Sequence, residues 1–168
     1  VTRRFCWAIS NQIGPDYAAI MDTMRELLPR EGSIVRDATV PAYLWGNRLI
    51  PILEPRTSMM STSAAIGPGL PLAIGAAIGS GKKTALIQGD GGFMLNIGEL
   101  ATAAQHNAPI IICLFNDGGY GVLRTIQART FEGRQTGVEL GKPDFTAIAK
   151  AMGLTSEHVS GVAAFRRA

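Results

Sequence analysis

Two apolar runs, each closed by an acidic, glycine-rich turn, restrict this chain to few architectures. The first, KTALIQGD (83–90), leads into GGF; the second, PIIICLFND (109–117), leads into GGYG. Apolar runs of this length without alternation read as strands covered on both faces, as in a parallel sheet. The stretch between them, NIGELATAAQHN (96–107), has helical spacing, so the strands run parallel and their turns open on one sheet edge. The remaining segments continue the alternation. Proline at both ends bounds a predicted helix over 15–29. SIVRD (33–37) reads as a short strand, followed by a loop through Pro41, Trp45 and Pro55. RTSMMS (56–61) is a weaker strand, and 67–80 a helix of small residues. Further helices are expected over 120–130 and over 144–153, the latter closed by Gly153. The expected fold is α/β, a mostly parallel β-sheet flanked by helices on both faces.

Residues 1–14 read as a linker from an upstream region, and 15–168 as one domain. The chain begins at Val1 and stops at FRRA inside a helical pattern, so it reads as a piece of a longer protein. The composition, 46% apolar and 17% charged over 168 residues, is that of a buried globular core. A net charge of +3, with Arg3-Arg4, Lys82-Lys83 and Arg166-Arg167 as isolated pairs, gives no basic stripe for nucleic acid. The longest apolar stretch, GPGLPLAIGAAIG, is broken by glycine and proline and is too short to span a bilayer. Cys6 and Cys113 do not make a disulfide framework, and Cys113 lies inside the apolar run as a small hydrophobe. A reducing, cytoplasmic setting fits.

The chemistry concentrates in the two turns. Asp90 ends the first run; Asn116 and Asp117 end the second, 26 and 27 residues later. Adjacent strand ends thus bring together oxygen-bearing side chains of the kind that hold Mg²⁺ or another hard cation. Bare N–H groups at Gly91, Gly92, Gly118 and Gly119 could cradle an anion, and each turn feeds a helix start. Read from the residues alone, these are either a metal–diphosphate site or two ordinary strand–helix turns, since DG and NDG are common turn formers.

The GDG at 89–91, followed 26 residues after its aspartate by Asn116-Asp117, resembles the signature of thiamine diphosphate (ThDP) enzymes. GDGGFMLNIGELATAAQHNAPI, SAAIGPGLPLAIGAAIG and NDGGYGVLR are similar to the C-terminal third of acetolactate synthase and benzoylformate decarboxylase relatives, over residues 33–153 in order. The resemblance implies a ThDP-binding fold with Asp90 and Asp117 as side-chain metal ligands and the Gly119 carbonyl as a third. The family most often has asparagine where Asp117 stands, so this chain adds a negative charge near the diphosphate. Ile66 matches the bulky apolar residue that bends the cofactor into a V, and the Ala64 carbonyl the acceptor of its pyrimidine amino group. A core position before a helix is the other reading of Ile66. Gly89, Gly91, Gly92, Asn116, Gly119, Tyr120 and Gly121 complete the implied cofactor contacts. Asp37 and Thr39 match a loop on the diphosphate side, or are a simple strand-end turn.

By the same resemblance, the parent would be a lyase or transferase acting on small 2-oxo acids, a decarboxylase or carboligase, working as a homodimer or homotetramer. Its activating glutamate belongs to an N-terminal domain that this chain does not contain. Catalytic residues are therefore assigned to none of the present positions, Glu54 and Glu99 included, and the chain alone is expected to be inactive. Two alternatives stand beside this: a non-catalytic ThDP-binding module, and an unrelated Mg²⁺-dependent phosphate-binding α/β domain. GSGKKT (79–84) departs from a P-loop at Ala76 and Lys83, and GPGLPLAIG from a dinucleotide fingerprint at Leu72. His106 and His158 are isolated and read as surface or helix-end residues; Trp7 and Trp45 read as packing or interface residues.

Overall fold

The computed structural model describes residues 14–168. Cys6, Trp7, Arg3-Arg4 and all but the last residue of the expected linker lie outside them. Helix α1 (Pro15–Leu27) starts with proline at its first position, where the missing N–H costs nothing. The Arg25 guanidinium donates to the carbonyls of Leu28 and Pro29 and closes it. Strand β1 (Ser33–Arg36) follows. The expected loop beyond it is helical instead, a π-turn over Pro41–Gly46 running into α2 (Asn47–Leu49). Its proline opens the turn rather than breaking it. Then come β2 (Ser58–Met60), a 3₁₀ turn (Thr62–Ala64) and α3 (Gly69–Ser80). The chain continues through β3 (Thr84–Gly89), α4 (Asp90–Leu95), α5 (Glu99–Gln105) and β4 (Ile110–Phe115). It ends with α6 (Gly121–Thr130), α7 (Phe145–Ala151) and α8 (Val162–Arg167).

The four strands are parallel in the order β2-β1-β3-β4. Alternation along β3 sends Ala85 and Ile87 to one face and Leu86 to the other. On the first face they meet Met21, Met24 and Leu28 around α1, with Ala42 of the π-turn. On the second, Leu86 meets Leu70, Ala73 and Ile74 of α3, Phe93 of α4 and Leu100 of α5. Helices cover both faces, as expected. The apolar run 109–117 is covered on both faces, Cys113 and Phe115 packing against the first cluster and Ile110, Ile112 and Leu114 against the second, though not along its whole length. Among the described residues β4 is the sheet edge, and Ile111 is 41% exposed. Uninterrupted apolarity specifies a strand but not its place in the sheet.

Because β2 lies on one side of β1 and β3 on the other, the strand order reverses direction between β1 and β3. Ligands of open α/β sheets lie outside the carboxyl ends of the strands at such a switch point.

Candidate functional site

One cleft of about 640 Å³ opens at that edge. Thr39 reaches it from the end of β1, Ala64 and Ile66 from the 3₁₀ turn, and Gly89, Asp90, Gly91 and Gly92 from β3 into α4. Asn116, Asp117 and Gly119 arrive from the end of β4, Tyr120 and Gly121 from the start of α6. The fold therefore brings together every residue named above for cofactor or metal. Asp37 and Gly118, also considered above, do not line the cleft wall.

Asp37 lies beneath the cleft, 2% exposed. Its carboxylate accepts from the Ala38 N–H at 2.7 Å, from the Gly67 N–H at 2.9 and 3.1 Å, and from the Gln88 amide. Asn96 donates to the Gly67 carbonyl at 3.1 Å. This network ties the ends of β1 and β3 to the turn that carries Ile66. The turn is strained: Ser63 and Ala64 have φ of 56° and 53°. Such left-handed non-glycine residues cost roughly 1–3 kcal/mol each and persist only where their surroundings hold them. Ser61, donating to the Ala65 carbonyl at 2.7 Å, holds one side and Asp37 the other. Ile66 is thereby presented to the cleft, 36% exposed, rather than packed in the core.

The glycines are bare because the protein itself fills the space. A Cβ on Gly92 would meet the Asp37 carboxylate at 2.7 Å, and one on Gly91 the Tyr120 ring at 2.6 Å. On Gly89 it would meet the Thr39 hydroxyl at 2.8 Å. GDGGFML is also the start of a helix rather than a loop. Of the four glycine amides expected to face an anion, three are turned to the protein's own acceptors. The Gly118 N–H donates to Asn116 Oδ1 at 3.2 Å, and those of Gly91 and Gly119 point at the Asp90 carboxylate. The first turn of α6 adds further donors. Its first intrahelical bond is from the Arg124 N–H to the Tyr120 carbonyl, which leaves the N–H groups of Gly121, Val122 and Leu123 without helical partners at the cleft.

Asp90 is 3% exposed and, among the described residues, makes no ion pair. Burial, and then the nearby Asp117 charge, push its carboxyl above the ordinary aspartate value; the N–H groups of Gly91, Asp90 and Gly119 offset part of this. Two adjacent carboxylates, one buried, are oxygen ligands of the kind a hard cation takes. Among the described residues no three His, Cys, Asp or Glu side chains converge. Further ligands to a cation here would come from backbone, water or a bound phosphate, as Mg²⁺ commonly takes them. Asp117 meets the Arg124 guanidinium at 3.5 Å, and Arg124 forks onto Glu139 at 2.7 and 3.2 Å. The residues thus fit a dication with a diphosphate.

Sequence reasoning missed the aromatic wall. Trp45 stacks on Tyr17 with ring centroids 3.8 Å apart and meets Phe115 edge-on at 5.4 Å, and Tyr43 lies beside them. The signal was present in PAYLWG once that stretch is placed on a helical turn.

Comparison with known proteins shows the family. Residues 41–168 match the family described as "Thiamine pyrophosphate enzyme, C-terminal TPP binding domain". A probable acetolactate synthase large subunit of Methanococcus aeolicus is 30% identical over 143 residues, 83% of this chain and 24% of that protein. Benzoylformate decarboxylase of Pseudomonas aeruginosa is 28% identical over 142 residues, 84% of this chain and 27% of that protein. The solved structure of a thiamine diphosphate-dependent 4-hydroxybenzoylformate decarboxylase from Rhodococcus jostii RHA1 superposes with a TM-score of 0.82 at 26% identity. It covers 91% of this chain and 29% of the other. The chain spans about a quarter of the length of the curated relatives it matches. With three quarters of its length inside the family match, the chain belongs to the thiamine pyrophosphate enzymes, as their C-terminal cofactor-binding domain.

Proposed function

We propose that this domain holds the diphosphate end of ThDP with Mg²⁺ in an enzyme that decarboxylates 2-oxo acids or joins them to an acceptor. The observation that carries this is the buried Asp90 carboxylate, which among the described residues makes no ion pair, beside Asp117 and the first-turn N–H groups of α6. Asp90, Asp117 and the Gly119 carbonyl would hold the metal. Gly121, Val122 and Leu123 would donate to the diphosphate, and Ile66, held by the Asp37 network, would support the bent cofactor, with the Ala64 carbonyl facing its pyrimidine. Thr39, Gly89, Gly91, Gly92, Asn116 and Tyr120 would shape the walls. Bound ThDP supplies the carbon nucleophile and the electron sink for cleavage beside a carbonyl. This chain's own share is to bind, bend and shield it. The activating glutamate would come from an N-terminal domain, in a homodimer or homotetramer within the cytoplasm, so the 168 residues alone would not turn over substrate.

Calorimetric titration of ThDP into the chain tests this, with Mg²⁺, with chelator, and with Asp90→Asn. The reading predicts metal-dependent binding that the substitution abolishes. Binding that ignores both metal and substitution would refute it.

A further inference from the structure

Arg124 has no part in the reading above, yet its placement is specific. It leaves the first turn of α6 and crosses the Gly119 turn, where a Cβ on Gly119 would lie 2.6 Å from Nη2. Its Nε and Nη2 fork onto Glu139 at 2.7 and 3.2 Å, and Nη1 faces Asp117 Oδ2 at 3.5 Å. Glu139 is anchored in turn. Its neighbours Val138 and Leu140 bond the backbone of Tyr120 and Gly118 at 2.9 and 3.0 Å, and Gly119 bridges Glu139 antiparallel. The guanidinium is thus fixed at the cleft with its side chain 26% exposed, while Asp117 is 56% exposed. Among the described residues it supplies the one ion pair that Asp117 makes.

A cation in this position acts in two opposite directions. Toward a bare dication it competes for Asp117 and repels the incoming charge. Toward a dication that carries a diphosphate it attracts the added anion and offsets the second carboxylate. Resting on the metal–diphosphate reading, the geometry points to Arg124 as a specificity-determining residue. Held by Glu139 against Asp117, it makes the Asp90–Asp117 pair accept a dication together with a diphosphate in preference to the dication alone.

The test uses Mn²⁺ as probe, followed by water-proton relaxation, with and without inorganic diphosphate, on the 168-residue chain and on Arg124→Met, which keeps the aliphatic stem. The inference predicts opposite signs. Mn²⁺ alone binds the variant roughly three- to tenfold more tightly, the range between an exposed and a partly buried pair. Mn²⁺ with diphosphate binds it more weakly by about the same factor. Asp117→Asn in the Arg124→Met background restores the diphosphate affinity, since the charge needing an offset is gone. A merely misfolded variant weakens both and is not rescued. Wild-type binding with both affinities unchanged in the variant, or both reduced in a variant whose circular dichroism spectrum and Tm are native, overturns the role of Arg124 and leaves the metal–diphosphate reading standing. Failure of both proteins to bind Mn²⁺ under either condition overturns that reading, and the inference with it.

Discussion

Replacing Asp37 by alanine removes the acceptor that joins β1, β3 and the Ile66 turn. The N–H groups of Ala38 and Gly67 lose their partner, and the Gln88 amide keeps only its 3.4 Å bond to the Gly67 carbonyl. Ala38 is only partly buried and can turn to water, whereas Gly67 and Gln88 are buried. A buried donor left unpaired costs about 1–3 kcal/mol. Relief from burying a carboxylate offsets part of this, so Asp37→Ala should cost about 3 kcal/mol. For a domain of this size that is a fall of roughly 6–12 °C in Tm. Asp37→Asn should cost much less, about 1 kcal/mol. Among the described residues Gln88 Oε1 has no partner, so rotating the Gln88 amide lets it accept from the new side-chain NH₂. Urea unfolding of the two variants measures both effects. A loss below about 0.5 kcal/mol for alanine, or equal losses for the two, would refute the latch.

Other outcomes follow from single contacts. Gly91→Ala places a methyl 2.6 Å from the Tyr120 ring; it should destabilise by about 1–3 kcal/mol, and Tyr120→Ser in the same chain should recover most of the loss in urea. Burial pushes the Cys113 thiol up to about 12, so iodoacetamide at neutral pH should label the Cys113 peptide only at the rate of unfolding, as mass spectrometry would show. The Asp144 carboxyl is held below its ordinary 3.8 by the Thr146 hydroxyl and the Ala147 N–H at the start of α7. A lowered folded value gives stability that is present above 3.8 and lost as pH falls through that folded value. Hydrogen exchange in α7 should therefore speed up as pH is lowered through this range in the native chain, corrected for the intrinsic rate, and show no such step in Asp144→Asn.

Much of the site was legible because its parts sit at strand ends, where sequence order and sheet geometry leave little freedom. TALIQG and IIICLF fixed two neighbouring parallel strands, so Asp90 and Asp117 had to open on one edge. The small-residue stretch GLPLAIGAAIGS became α3 as expected, closed by left-handed Gly81. What was not legible depended on contacts between distant segments. Asp37 reads like any strand-end aspartate until Gly67 and Gln88, 30 and 51 residues away, converge on it. Nor does the sequence show that Tyr120 and Asp37 fill the space beside Gly91 and Gly92. The Pro41 turn reads as a loop in the sequence because proline signals both breaks and helix starts.

The central claim, that Asp90 and Asp117 jointly bind a metal that holds the cofactor's diphosphate, is tested most directly by crystals grown with ThDP and Mn²⁺. Anomalous scattering should show one metal between the two carboxylates, with diphosphate oxygens in its shell and the first turn of α6 facing them. A metal touching neither aspartate, or a diphosphate bound outside the cleft, would contradict the account.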